Sequence, residues 1–234
     1  MKEVILLRLT PYRENDYIVY GLSKDGFITF RATGGQKASS SSRTSLLLYS
    51  LVNVELRTTK AGFTLTYIKS LVSSASFFSD YEKLAALNLI GEIVSRTVQT
   101  EEEARETFIF VRNALTSLKE TKNIYSLLYL FVTGLLARVG YAFQVQHCVK
   151  CLSKQNIVGL NFVLGGLVCN NCRDHNTNIL TEHEVKIVRY GFMFNETQFL
   201  RHEFSDEEVK KLFIMFLKYT EDIYNFTFKS KELL

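Results

Sequence analysis

The sequence predicts an α+β protein: a small five-stranded barrel at the N-terminus, then an all-α domain with an insert stapled by four cysteines. Three observations predict it. Apolar and polar residues alternate with period two through the first 79 residues. From Ser79 the period becomes helical, and hydroxyl residues followed three positions later by Glu mark the starts. The cysteines occur only as two C-x2-C pairs. At 234 residues the chain has room for one or two domains and for a sizeable core. Its 47% apolar and 22% charged residues exclude a disordered or collagen-like chain.

The strands come first. Val4–Leu9, Asp16–Ser23 and Phe27–Thr33 are rich in β-branched and aromatic residues, and Pro11, Lys24-Asp25-Gly26 and Gly34-Gly35 bound them. A fourth strand is predicted within Leu46–Thr59, and Lys60-Ala61-Gly62 turns it into a fifth, Phe63–Leu71. Closing five such strands into a barrel removes edges too apolar to leave exposed. Strict alternation sorts the side chains. Ile28, Phe30 and Ala32 share a face, as do Val52, Val54 and Leu56, and Phe63, Leu65 and Tyr67. In the first strand Ile5, Leu7 and Leu9 oppose Val4, Leu6 and Arg8. Arg8, Arg31 and Arg57 then lie on outer faces. The loop Gly34–Ser45 is rich in hydroxyls and carries Lys37 and Arg43, the side-chain types that close on phosphates.

The grammar changes near Ser73-Ser74-Ala75-Ser76, which divides a domain at 1–79 from one at 80–234. Four capping boxes are predicted in the second: Ser79/Glu82, Thr100/Glu103, Thr181/Glu184 and Ser205/Glu208. Leu84, Leu87, Gly91 and Val94 line the first helix, where Gly91 implies a close contact with another helix. Phe108, Val111 and Leu115 line the second. The third, from about Ile124 to Val139, is apolar nearly all round and so belongs at the centre of its domain, with Gly140 ending it.

Cys148, Cys151, Cys169 and Cys172 follow the pattern C-x2-C, 17 residues, C-x2-C. That spacing reads as a zinc site, because each short turn offers two thiolates to one tetrahedral ion. Four sulfurs leave no vertex for water, so one structural Zn²⁺ is expected, holding an insert at about 145–175 that is too small for a core of its own. A thiol oxidoreductase would instead place one C-x-x-C at a helix start in a βαβ unit. His147 and His175 flank the cluster and are read as surface residues. The turn Gly165-Gly166 lets the chain re-enter the second knuckle.

Charge separates along the chain. Residues 1–79 hold 10 Lys or Arg against 5 Asp or Glu, residues 80–147 hold 7 against 8, and residues 148–234 hold 11 against 11. The whole basic excess of the +4 chain sits on the predicted barrel and points to a polyanion, nucleic acid being the usual one. Arg8, Arg31, Lys37, Arg43 and Arg57 are the candidate DNA contacts, and Tyr12, Tyr17 and Phe27 the candidate stacking residues. No secretory signal is read at the N-terminus, and the longest greasy stretch, Asn123–Ala137, is 15 uncharged residues where a span needs about 20. A soluble, cytoplasmic protein with no membrane partner is expected. There is no P-loop, G-x-G-x-x-G, H-E-x-x-H or G-x-S-x-G, and neither His183 nor His202 has an evident nucleophile beside it. No catalytic site is predicted.

A basic five-strand barrel, a helical domain and a C-x2-C…G-G-x2-C-x2-C insert after the third helix stand in one order. This arrangement resembles the family of the bacterial recombination mediator RecO over nearly the whole chain. The resemblance is carried by Arg13-Glu14-Asn15-Asp16-Tyr17-Ile18-Val19 with Gly26, Gly34 and Ser39, which looks like the family's OB-fold opening. It is carried more specifically by Leu135-Leu136-Ala137-Arg138-Val139-Gly140-Tyr141 and Gly165-Gly166-Leu167-Val168-Cys169. Two departures stand out. Family members often have Gly where this chain has Leu152, and their loop after Gly34 is usually more basic. The resemblance implies a five-stranded OB-fold barrel and a zinc-finger insert. It also implies binding of single- and double-stranded DNA, annealing of complementary strands, and action with RecR to help RecA replace single-stranded-DNA-binding protein during repair. The alternative is a protein-interaction adaptor whose helical domain binds partners and whose DNA binding is incidental.

Overall fold

The computed structural model describes residues 1–37, 42–194 and 204–234; Ser39 and His202 lie outside these. Strands β1 (Lys2–Tyr12), β2 (Asp16–Ser23), β3 (Gly26–Ala32), β4 (Leu51–Thr59) and β5 (Gly62–Val72) form a closed barrel in the order β1-β2-β3-β5-β4. Neighbours are antiparallel except β3 and β5, which meet in parallel at Phe30/Phe63 and Arg31/Thr64. Pairing of β1 with β4, from Lys2/Val54 to Ile5/Leu51, completes the closure. This is the OB-fold, and every strand has two neighbours. Val4, Leu6, Val19, Ile28, Phe30, Ala32, Leu46, Val52 and Val54 fill the interior.

Two bulges correct the expected side-chain faces. Val4 and Leu6 point into the barrel, not outward with Arg8. The register shifts between Leu6 and Arg8, which reverses the phase, so Leu9 packs inward and Arg8 is exposed. On β5 a second shift, opposite Glu55/Leu56, turns Leu65 and Ile68 to the core. Phe63 and Tyr67, expected to share the face of Leu65, are 46% and 43% exposed. On β3 and β4 the predicted inner faces hold.

Five helices follow among the described residues: α1 (Tyr81–Thr97), α2 (Glu101–Ser117), α3 (Ile124–Arg138), α4 (Glu182–Met193) and α5 (Asp206–Tyr224). The boxes Thr100/Glu103 and Thr181/Glu184 are both closed reciprocally. The box Ser79/Glu82 is not formed: Asp80 takes the cap and accepts from the Lys83 N–H, a carboxylate one residue on serving as well as the hydroxyl. Ser205 stands at the cap of α5 without a side-chain bond there, and Glu208 is engaged by His183 Nδ1 at 2.5 Å instead. Gly91 does lie at a close contact, but the neighbour is not a helix. A Cβ there would run into the ring of Tyr49, in the turn before β4. Gly140, at φ 89°, ends α3 with the Tyr141 N–H on the Leu136 carbonyl, a Schellman closure.

Packing divides the chain into two compact units, Met1–Lys119 with Phe228–Leu234, and Glu120–Thr227. In the first, α2 lies on β2 and β3, and Arg112 grips Glu3 at 2.6 Å. A short C-terminal 3-10 helix, Lys229–Leu233, lies on α1 behind the fully buried Phe228. In the second, α3 is buried on nearly every face and packs on α4 and α5. The Tyr129 hydroxyl, inside this unit, donates to the Ile187 carbonyl at 3.0 Å. The second unit also holds a three-stranded sheet, β7-β6-β8, from β6 (Ile157–Asn161), β7 (Gly166–Cys169) and β8 (Thr177–Ile179).

Candidate nucleic-acid interface and metal centre

One rim of the barrel is organised around Asp16. Its carboxylate, nearly buried, accepts from Arg31 Nε and Nη2 at 2.9 and 2.5 Å and from the Gly34 N–H at 2.8 Å. The Gln36 N–H donates to the Asn15 carbonyl at 2.9 Å. These bonds stitch the β1–β2 turn to the loop after β3. The Gly34 N–H, and after it the Arg31 guanidinium, hold the Asp16 carboxyl below the usual carboxylate range. The same rim walls a cavity of about 440 Å³ that has Arg13 and Lys37 among its lining. Beside it the ring of Tyr12, 40% exposed, has the guanidinium groups of Arg13 and Arg31 at 5.2 and 5.5 Å from its centroid.

The predicted cations are therefore unequal. Lys37 lines the rim cavity. Arg31 stands at the rim too, but its charge is compensated by Asp16. Arg57 is exposed on β4, in register with Thr64, which is itself in register with Arg31, so the two arginines share an outer face about 10 Å apart. Arg43 is exposed in the turn before β4. Arg8 faces Tyr20 further along the β1–β2 ladder. Of the aromatic candidates, Tyr12 is presented, Tyr17 packs against the barrel core, and Phe27 is half-buried on Tyr20. Arg13 was not among the candidate contacts. Its signal was a lone cation in the three-residue turn Arg13-Glu14-Asn15, and only the folded turn sets it over Tyr12.

The four cysteines converge as the spacing requires. The sulfurs of Cys148, Cys151, Cys169 and Cys172 lie within 4.8 Å of one another, and those of Cys151 and Cys169 are 3.6 Å apart. A tetrahedron with metal–sulfur bonds of about 2.3 Å separates its sulfurs by roughly 3.8 Å, so the donor set fits one ion. Burial pushes the Cys148 thiol up, but the N–H groups of Cys151, Cys169 and Lys150 more than offset it and bring the group down to about 6. Cys172 is pushed up to about 12, chiefly by hydrogen bonds with Cys151 and Cys169. Lys150, inside the first knuckle, pairs with Asp174, just past the second, at 2.7 Å. Leu152, after the first knuckle, sits at φ 62°, the left-handed region that a glycine fills without strain. Among the described residues this is the one group of at least three His, Cys, Asp or Glu side chains placed to share an ion; neither His147 nor His175 belongs to it.

The profile of the family described as "Recombination protein O C terminal" matches residues 78–232, more than half of the chain. The chain belongs to the recombination protein O family. Its similarity to named relatives extends through the barrel as well. The DNA repair protein RecO of Mesoplasma florum is 24% identical over 240 residues, covering 98% of this chain and 88% of that protein. The protein of the same name from Bacillus subtilis is 23% identical over 237 residues, covering 99% and 92%. That of Frankia casuarinae is 26% identical over 190 residues, covering 80% and 78%. The chain is thus a member of a DNA-repair family. In this RecO-family chain the matched region contains all four cysteines. Among the described residues no helix is long and apolar enough to cross a membrane.

Proposed function

We propose that this RecO-family protein is a recombination mediator that binds single- and double-stranded DNA on its barrel and anneals complementary strands. With RecR it helps load RecA on single strands covered by single-stranded-DNA-binding protein. The observation that carries the reading is the rim at Tyr12, where an exposed ring is flanked by two guanidinium groups next to Lys37. Cations that neutralise phosphates beside an aromatic face are the means by which OB-folds hold single strands without reading sequence. Arg13, Lys37, Arg43 and Arg57 meet phosphates. Arg31, paired with Asp16, positions Tyr12 and the loop rather than supplying free charge. The ion of the cysteine cluster is one Zn²⁺, held by Cys148, Cys151, Cys169 and Cys172. With every vertex taken by sulfur it supplies structure and no reactive water.

The test is oligonucleotide binding as a function of salt, with zinc content measured on the same sample. Affinity should fall linearly on a log–log plot. For single strands, Lys37→Glu and Arg13→Glu should each reduce the slope by about 0.7, whatever the base sequence. A salt-independent interaction, or none at low salt, would sink the proposal.

A further inference from the structure

A second cavity, of about 520 Å³, opens between the outer side of the barrel and α1 within the first unit. Its volume is within the roughly 300–1,000 Å³ of clefts that take small ligands. The β1 bulge creates one wall. By turning Arg8 outward it sets the guanidinium opposite Tyr20, 5.3 Å from the ring centroid. Tyr20 in turn stacks on Phe27, with centroids 5.1 Å apart and planes at 26°. Among the described residues no carboxylate pairs with Arg8. Tyr49 and Arg96 line the cavity as well.

The acid of this lining, Glu92, is already engaged. Its carboxylate oxygens accept the N–H groups of Lys229 and Ser230 at 3.2 and 2.9 Å, which holds the C-terminal 3-10 helix on α1 and makes Ser230 part of the wall. A cationic fork beside stacked rings suits a ligand that joins a planar π system to an anion. Guanidinium pairs with phosphate through its fork, and nucleobases stack on aromatic rings and on guanidinium planes. We propose that this cavity binds a single nucleotide, with Arg8 on the phosphate and the base against the Tyr20–Phe27 pair. In a strand the occupant is an unstacked residue; free in solution it is a mononucleotide. The strand form rests on the reading of the barrel as a nucleic-acid platform and adds to it a site distinct from the Arg13–Lys37 rim.

The test uses the zinc-loaded full chain and the fluorescence of 2-aminopurine, which stacking quenches. One arm offers free 2-aminopurine deoxynucleoside monophosphate, the other single strands carrying one 2-aminopurine, with total binding followed by anisotropy. Arg8 is exposed, so Arg8→Ala keeps the fold, and Ser230→Leu fills the cavity without touching any cation. Quenching in the wild type, lost in both variants while strand affinity falls by no more than about tenfold, supports the strand form. Quenching of the free nucleotide, lost in both variants, supports the mononucleotide form even where strands do not bind. A bound strand and a free nucleotide that both stay bright, or quenching undiminished in the two variants, overturns the pocket and leaves DNA binding at the rim standing. Absence of strand binding at low salt overturns the platform reading, and absence of quenching in the free-nucleotide arm then overturns the pocket too.

Discussion

The barrel encloses nine buried apolar side chains, whereas the buried cluster around the thiols of the insert consists of Cys148, Val168 and Cys169, with a few half-buried neighbours. Both hold short strands together. In the barrel, closure pairs every strand on both edges and the interior fills with β-branched and aromatic side chains. The insert has three strands of three to five residues, too few to bury a comparable core, and its four thiols converge within 4.8 Å as donors that could share one ion. The two compact units differ in charge as well. The barrel unit, Met1–Lys119 with Phe228–Leu234, carries 17 Lys or Arg against 13 Asp or Glu, and the other unit carries 11 against 11. The region that holds itself together by apolar burial is free to present cations outside. The other unit, which joins the apolar core around α3 to the cysteine insert, is neutral by count.

The largest effect that would break this comparison is metal removal. Binding of a structural zinc to finger-sized sites is worth about 10–16 kcal/mol, so chelation, or Cys169→Ala, should abolish amide protection in β6 and β7. Protection at Phe30 in the barrel should stay as it was. Hydrogen exchange read residue by residue checks this, and equal loss in both regions would mean that the insert's order is not metal-borne.

The reciprocal variant is Phe30→Ala in the barrel interior. Emptying that site, now 1% exposed, should cost about 3–5 kcal/mol in urea denaturation. The metal affinity of the cysteine cluster should not change.

A smaller effect sharpens the view of the rim. The folded Asp16 carboxyl lies below its ordinary value, so its contribution to stability is fully present above about pH 4 and is lost as pH falls through the lowered folded value. The urea midpoints of the wild type and of Asp16→Asn should differ at pH 7 and converge in acid. A gap independent of pH would mean that the rim does not depend on the Asp16 charge. The smallest effect is at the first knuckle. Leu152→Gly should relieve the left-handed backbone and stabilise the metal-bound insert by about 1 kcal/mol, read as resistance to chelator. The side chain lost there is 66% exposed and contributes little packing.

How much was legible depended on whether a pattern was local. The cysteine cluster could be read in full, because thiolate chemistry and two short turns suffice to define it. The inner faces of β3 and β4 were equally plain. Faces on β1 and β5 were misassigned, since an alternation rule has no term for a bulge, and each bulge depends on the partner strand. At α1 Ser79 and Asp80 were both competent caps by type, and the folded chain uses Asp80. Gly91 signalled a close approach, but not that Tyr49 makes it. The rim was half legible: Lys37 and Tyr12 stood out by type, while the pairing of Arg31 with Asp16 and the approach of Arg13 to Tyr12 join segments that composition treats separately.

By itself, then, the sequence determined the order of barrel, helices and insert, the four donors, and the side of the chain on which the basic excess lies. All of these follow from period, spacing and count, which are properties of neighbours along the chain. Only the tertiary structure decided which arginines keep a free charge, which aromatic rings are presented, and that Arg8 faces outward beside Tyr20. Those outcomes turn on register shifts and on contacts between residues far apart in sequence, and a one-residue slip in a strand exchanges its faces.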